Sequence, residues 1–184
     1  YEIDPCYVFH PLNAYESGSD LILDVCRMDD TMKPGSSSEP KLTRWTIKTV
    51  EGRVEEVQLD DRMVDFPRVA DNVVGIKHQF GYCAAFAKGA PFGAGLIKYD
   101  LEKGTSQYRD LEGGQASEPV FVSNPDGIDE DDGWVLSYVY QPERDKSEVL
   151  ILNSQDIEGE PAAVIELPVR VPAGFHGNWI PDQD

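Results

Sequence analysis

The sequence predicts an all-β fold of short antiparallel strands. Apolar residues recur at a period of two almost everywhere and at 3.6 almost nowhere, which is the pattern of half-buried strands. Runs rich in Val, Ile, Leu and aromatic residues are separated by Gly, Pro, Asn and Asp turn signals, so about ten strands follow one another through tight connections. A loose repetition, Leu-Ile-Lys-Tyr-Asp-Leu-Glu-Lys-Gly-Thr against Val-Leu-Ile-Leu-Asn-Ser-Gln-Asp-Ile-Glu-Gly, suits the blades of a propeller.

The elements follow in order. Tyr7-Val-Phe-His10 is an apolar, strand-like run that ends on a histidine. Asp20-Leu-Ile-Leu-Asp-Val-Cys-Arg27, between Ser-Gly-Ser and Asp-Asp, reads as a largely buried strand. Met32 to Glu39, carrying Pro34-Gly-Ser-Ser-Ser38, reads as a surface loop. Leu42–Thr49 alternates, turns at Glu51-Gly52 and returns as Val54–Leu59, a hairpin signature. Gln79–Phe86, a Gly/Pro loop and Ala94–Leu101 make a second pair, turning at Lys103-Gly104 into Ser106–Leu111. Glu118–Val122, Trp134–Tyr140, Glu148–Leu152 and Ala162–Leu167 complete the strands. Asp126–Gly133 holds the carboxylates of a calcium loop in the wrong phase, with no closing bidentate Glu, and reads as a solvated turn.

The 184 residues suffice for one domain with a sizeable core. A chain opening at Tyr1 directly before a strand reads as a piece of a longer polypeptide. The net charge of -18 argues against nucleic acid, which needs clustered Lys and Arg, and against electrostatic docking on anionic lipid. No apolar run approaches the ~20 residues that span a bilayer, so this portion is expected to be cytoplasmic, or peripheral to a membrane through segments outside it. Cys6, Cys26 and Cys83 lack C-x-x-C spacing and read as small buried hydrophobes in a reducing compartment.

Three histidines carry the candidate chemistry. His10 and His176 each follow a phenylalanine, where a desolvated neutral imidazole needs a partner, and they read as two ligands of one metal or as satisfied core histidines. Gly177 permits close backbone approach at the second, whereas His78 lies beside charge and is the weakest candidate. No two share helical ligand spacing, and two histidines do not complete a metal site. No G-x-S-x-G nucleophile elbow occurs, nothing singles out a glycosidase carboxylate pair, and Gly113-Gly114 lacks the setting of a phosphate loop.

Phe9-His10-Pro-Leu-Asn13-Ala-Tyr15-Glu16, Val64-Asp65-Phe-Pro-Arg68, His78-Gln-Phe-Gly-Tyr82, Ser117-Glu118-Pro-Val-Phe-Val-Ser-Asn-Pro-Asp126, Glu130–Ser137 and Val171-Pro-Ala-Gly-Phe-His176-Gly together resemble the carotenoid cleavage oxygenase family in the same order. That family includes carotenoid, apocarotenoid and lignostilbene oxygenases and a retinoid isomerase. The resemblance implies part of a seven-bladed β-propeller, a non-haem Fe(II) held by four histidines and a hydrophobic tunnel. His10 and His176 match the third and fourth ligands; the first two fall in an amino-terminal half that residues 1–184 do not include. Glu118 matches one of three glutamates that hold ligand imidazoles, and Asp65 stands where another is expected, as partner of His10. An aspartate is one methylene shorter, so its hydrogen bond is expected to be longer or water-mediated.

The implied activity is Fe(II)-dependent cleavage of a C=C bond in a conjugated apolar substrate by O2, giving two carbonyl products. The substrate is a carotenoid, an apocarotenoid or, on a slight lean from Gly177-Asn-Trp179, a stilbene. A non-oxidative isomerase and a metal-free binding propeller are the alternatives. The implied partners are the substrate, O2 and the amino-terminal half.

Overall fold

The computed structural model describes residues 1–30, 39–88, 92–172 and 174–182, and its strands assemble into three four-stranded meanders, as propeller blades do. β1 (Tyr7–Ser17), β2 (Asp20–Met28), β3 (Lys41–Lys48) and β4 (Arg53–Gln58) form the first, each antiparallel to the next. β5 (Val64–Arg68), β6 (Phe80–Phe86), β7 (Gly93–Asp100) and β8 (Thr105–Asp110) form the second. After the two-residue β9 (Gln115–Ala116) come β10 (Val120–Ser123), β11 (Gly133–Gln141), β12 (Lys146–Asn153) and β13 (Ala163–Glu166). Ala116 of β9 pairs with Gly93 on one side and Val139 on the other, fusing the second and third blades into one nine-stranded sheet.

The hairpins close where the sequence places turns. Gly52 and Gly104 sit at φ +71° and +64°, a region glycine enters without steric cost. The two repeated phrases occupy the third strand of consecutive blades, β7 and β12. Of the loop expected from Met32 to Glu39, residues 32–38 lie outside the described residues, as do residues 89–91 of the Gly/Pro loop.

Burial follows the alternation. In β11, Val135, Ser137 and Val139 are buried while Leu136 and Tyr138 are not. β6 is buried almost throughout because both its faces are covered. Leu42, Val64, Tyr82, Leu96, Ile97 and Leu152 are the large members of one core that runs through all three blades, each apolar side chain contributing about 1.5–3 kcal/mol. The acidic turn before β11 is more than solvated. Glu130 accepts the N–H groups of Gln79 (2.9 Å) and Phe80 (2.7 Å), and buried Asp131 pairs with buried Lys98, whose ammonium lies 4.3 Å from the Phe80 ring. No helix among the described residues is long and apolar enough to cross a membrane.

Candidate metal centre

Two bulges build the centre. Val8 pairs with Arg27 and Pro11 with Val25, so Phe9 and His10 together oppose Cys26. Val64 and Asp65 pair with Ala85 and Ala84, and Arg68 with Tyr82, so Phe66 and Pro67 together oppose Cys83. In each strand proline removes the N–H that a regular ladder needs, and the extra residue re-aims its neighbours. His10 therefore lies within β1 rather than at its end, as a strand stopping at residue 10 would have it. Cys26 and Cys83, both fully buried, are the small residues that fit opposite the bulges, and Cys6 is only half-buried. A hydrogen bond with Cys83, and then burial, push the Cys26 thiol well above the ordinary thiol range, so it stays protonated.

The bulge in β5 brings the Asp65 carboxylate straight to His10. Oδ1 lies 2.8 Å from His10 Nδ1 and also accepts the Phe66 N–H at 2.9 Å. The longer or water-mediated bond expected of the shorter side chain is not found: backbone displacement supplies the reach that the missing methylene would have given. Phe66 has φ +53°. For an aromatic residue such a conformation costs on the order of 1–3 kcal/mol and persists only where its surroundings over-determine it.

Glu118, just ahead of β10, is buried and holds the second histidine. Its Oε1 is 3.2 Å from His176 Nδ1, and its Oε2 accepts the Gly177 N–H at 2.9 Å. Arg68, at the end of the β5 bulge, donates to the Gly177 carbonyl (3.1 Å) and Asn178 Oδ1 (3.2 Å) and lies 3.5 Å from Glu118 Oε2. Segment 174–182 forms neither strand nor helix, and these contacts fasten it to the second and third blades.

The His10 and His176 rings end 5.0 Å apart, centroid to centroid, at 77°. The Phe66 ring lies 5.0 Å from His10 and 5.8 Å from His176, with Phe86 behind it at 6.2 Å. Carboxylates that take the Nδ1–H of both imidazoles leave the lone pairs on Nε2. Two imidazoles bound through Nε2 at ~2.1 Å to adjacent positions of one ion have centroids about 4.6–5.3 Å apart, and the observed separation falls in that range. The donors fit a divalent borderline metal, although no group of three or more potential ligands occurs among the described residues.

The structure thus brings His10, His176, Asp65 and Glu118 into one cluster. It leaves His78 elsewhere, buried, with Nδ1 3.1 Å from Asn13 Nδ2 and Nε2 3.7 Å from Asp24. The His176 side chain is 55% exposed, and Phe9, Phe175 and Trp179 around the centre are 41%, 77% and 51% exposed. Beside His176 a cavity of about 560 Å³ is lined by Val120, Leu136, Val149, Ile151, Phe175 and Trp179. Phe66 and Arg68 went unassigned in the sequence, where the available signal was Pro67 inside a strand-like run.

Three propeller blades with a pair of carboxylate-held imidazoles define the class of protein. The chain belongs to the Retinal pigment epithelial membrane protein family, whose model matches residues 1–181. It is 41% identical to a carotenoid cleavage oxygenase of Mycobacterium tuberculosis over 98% of its own length and 39% of that protein's. It is 34% identical to the apocarotenoid-15,15'-oxygenase of Synechocystis over 94% of its length and 38% of that protein's. The crystal structure of cobalt-substituted Synechocystis apocarotenoid oxygenase superposes with a TM-score of 0.88 at 31% identity, covering 95% of this chain and 39% of that one. The chain thus spans about two fifths of the length of the relatives it matches. Both the propeller fold and the family resemblance read from the sequence hold.

Proposed function

We propose that residues 1–184 are the carboxy-terminal portion of a single-domain, non-haem Fe(II) dioxygenase that splits a C=C bond of a carotenoid or apocarotenoid with O2, yielding two carbonyl products. His10 and His176 are two of the metal's ligands, Asp65 and Glu118 hold them, and the remaining ligands lie in sequence outside these residues. The observation that carries this reading is the pair of imidazoles 5.0 Å apart, each tied through Nδ1 to a buried carboxylate. The names of the similar proteins support the choice of oxygenase and substrate class, and the cobalt-substituted neighbour supports the presence of a metal.

Bound there, Fe(II) supplies open coordination positions and the electrons that activate dioxygen. The chain's own residues do the rest. Asp65 and Glu118 fix the tautomers and raise the basicity of the imidazoles. The apolar cavity beside His176 provides a wall against which a conjugated chain lies in a fixed register, and apolar contact there excludes water. No acid or base of this portion takes part in a proton transfer, because two atoms of oxygen added across one double bond balance without one.

Elemental analysis of the full-length protein, loaded anaerobically with Fe(II), tests the reading. About one iron per chain is expected, with metal and turnover of an apocarotenoid lost together in His176→Ala. A full-length protein that takes up no iron would leave a metal-free binding propeller instead.

A further inference from the structure

Among the described residues, three non-glycine residues have positive φ: Phe66, Glu112 and Asp145. Glu112 and Asp145 lie outside the strands, just after β8 and just before β12, where short connections favour such angles. Phe66 alone is inside a strand, alone is aromatic, and alone touches both candidate ligands. Backbone strain of this kind, concentrated at one site, points to a task for the residue.

The task is legible in what the conformation aims. A single Nδ1–H···O bond fixes an imidazole's tautomer but lets the ring swing about that bond, and His10 and His176 are each held by one such bond. The Phe66 N–H donates to Asp65 Oδ1, and at φ +53° the Phe66 ring turns from that fixed peptide onto both imidazoles, at 31° to His10 and 63° to His176. Phe86 stacks behind it at 28° and stops it from retreating. One flat ring thus bears on two others and holds the 77° between their planes.

We propose that Phe66 is a positioning residue: packed against the His10 and His176 rings as the third corner of a triangle of rings, it sets the angle at which the two imidazoles present Nε2 to the metal. The inference rests on the reading of those histidines as ligands. It gives the strained strand a function that removal of the strain would abolish.

The test uses full-length protein substituted with cobalt(II), whose visible absorption bands report ligand geometry. Phe66→Leu keeps apolar bulk without a plane, and Phe66→Tyr keeps the plane. The expected result is that Phe66→Leu binds cobalt with roughly tenfold lower affinity, as loss of an outer support to a ligand does, and with shifted bands, while Phe66→Tyr restores both. Should Phe66→Leu fail to fold, Phe66→Met carries the same comparison. A ring that serves packing alone predicts a lower unfolding temperature with affinity and bands unchanged in the folded leucine variant, and that outcome overturns the proposal. Failure of the ligand reading looks different: the unsubstituted protein itself would then bind no cobalt.

Discussion

Changing the two carboxylates to amides should have unequal effects, and the geometry says which is worse. Both oxygens of Glu118 are opposed by donors, Oε1 by His176 Nδ1–H and Oε2 by the Gly177 N–H with Arg68 close by. Glutamine offers one acceptor and one NH2 group. If the NH2 faces Gly177, two donors oppose each other and the bond that fastens the segment carrying His176 is lost, at about 1 kcal/mol. If it faces His176, it favours the tautomer that puts a proton on Nε2, where the imidazole needs a free lone pair to bind a metal. Either orientation weakens metal binding about 10- to 100-fold, in line with other losses of a carboxylate behind a ligand histidine. Asp65 differs because Oδ1 alone receives both N–H donors, from His10 at 2.8 Å and Phe66 at 2.9 Å. An asparagine oxygen in that place keeps both bonds and loses only their charge assistance, worth about 1 kcal/mol or roughly fivefold in affinity. Anaerobic titration of the full-length variants with Fe(II) against a chelator measures the two constants. Asp65→Asn weakening the site as much as Glu118→Gln would refute the assignment of donors to oxygens.

Two further outcomes follow from residues away from the centre. Burial lowers the pKa of His78 in the fold, against the opposing pull of Asp24 and Glu130 and with a smaller push from Arg44. The unfolded chain therefore binds the proton more readily, and stability is fully present above the unfolded pKa of about 6.5 and declines as pH falls from there toward the folded value; denaturant midpoints at neutral and mildly acid pH should show the slope, and His78→Asn should flatten it. Gly133 has no room for a side chain, since a Cβ there would sit 2.2 Å from the Val122 carbonyl oxygen and 3.0 Å from the Phe121 ring. Gly133→Ala should destabilise by about 1–3 kcal/mol, and an unchanged midpoint in chemical denaturation would contradict this.

The blades were legible because their physics is local. Alternation and turn glycines mark each hairpin, and the phrases around Leu96 and Val149 even fell on equivalent strands. β5 escaped because Pro67 hides a strand whose ladder is interrupted at the point of interest. The partners of the centre were named by resemblance, yet their bonds join residues 55 and 58 positions apart, which no periodicity records. Side-chain length misled at Asp65 for the same reason: reach depends on where a bulge puts the backbone. Phe66 and Arg68 acquire their contacts only through that bulge. Phe175 and Trp179 stay exposed because no described element packs over that face.

The wide separation of each histidine from its carboxylate has a consequence for how the protein acquires its metal during synthesis. His10 is held only once β1 has met β5, and His176 only once segment 174–182 has returned to the start of β10. Closing such loops costs entropy that must be overcome before any contact is formed. A chain leaving the ribosome therefore presents lone, freely rotating imidazoles that compete poorly for a metal ion. The two imidazoles are ordered only when the blades have docked, so on the proposed reading metal loading is expected to follow folding.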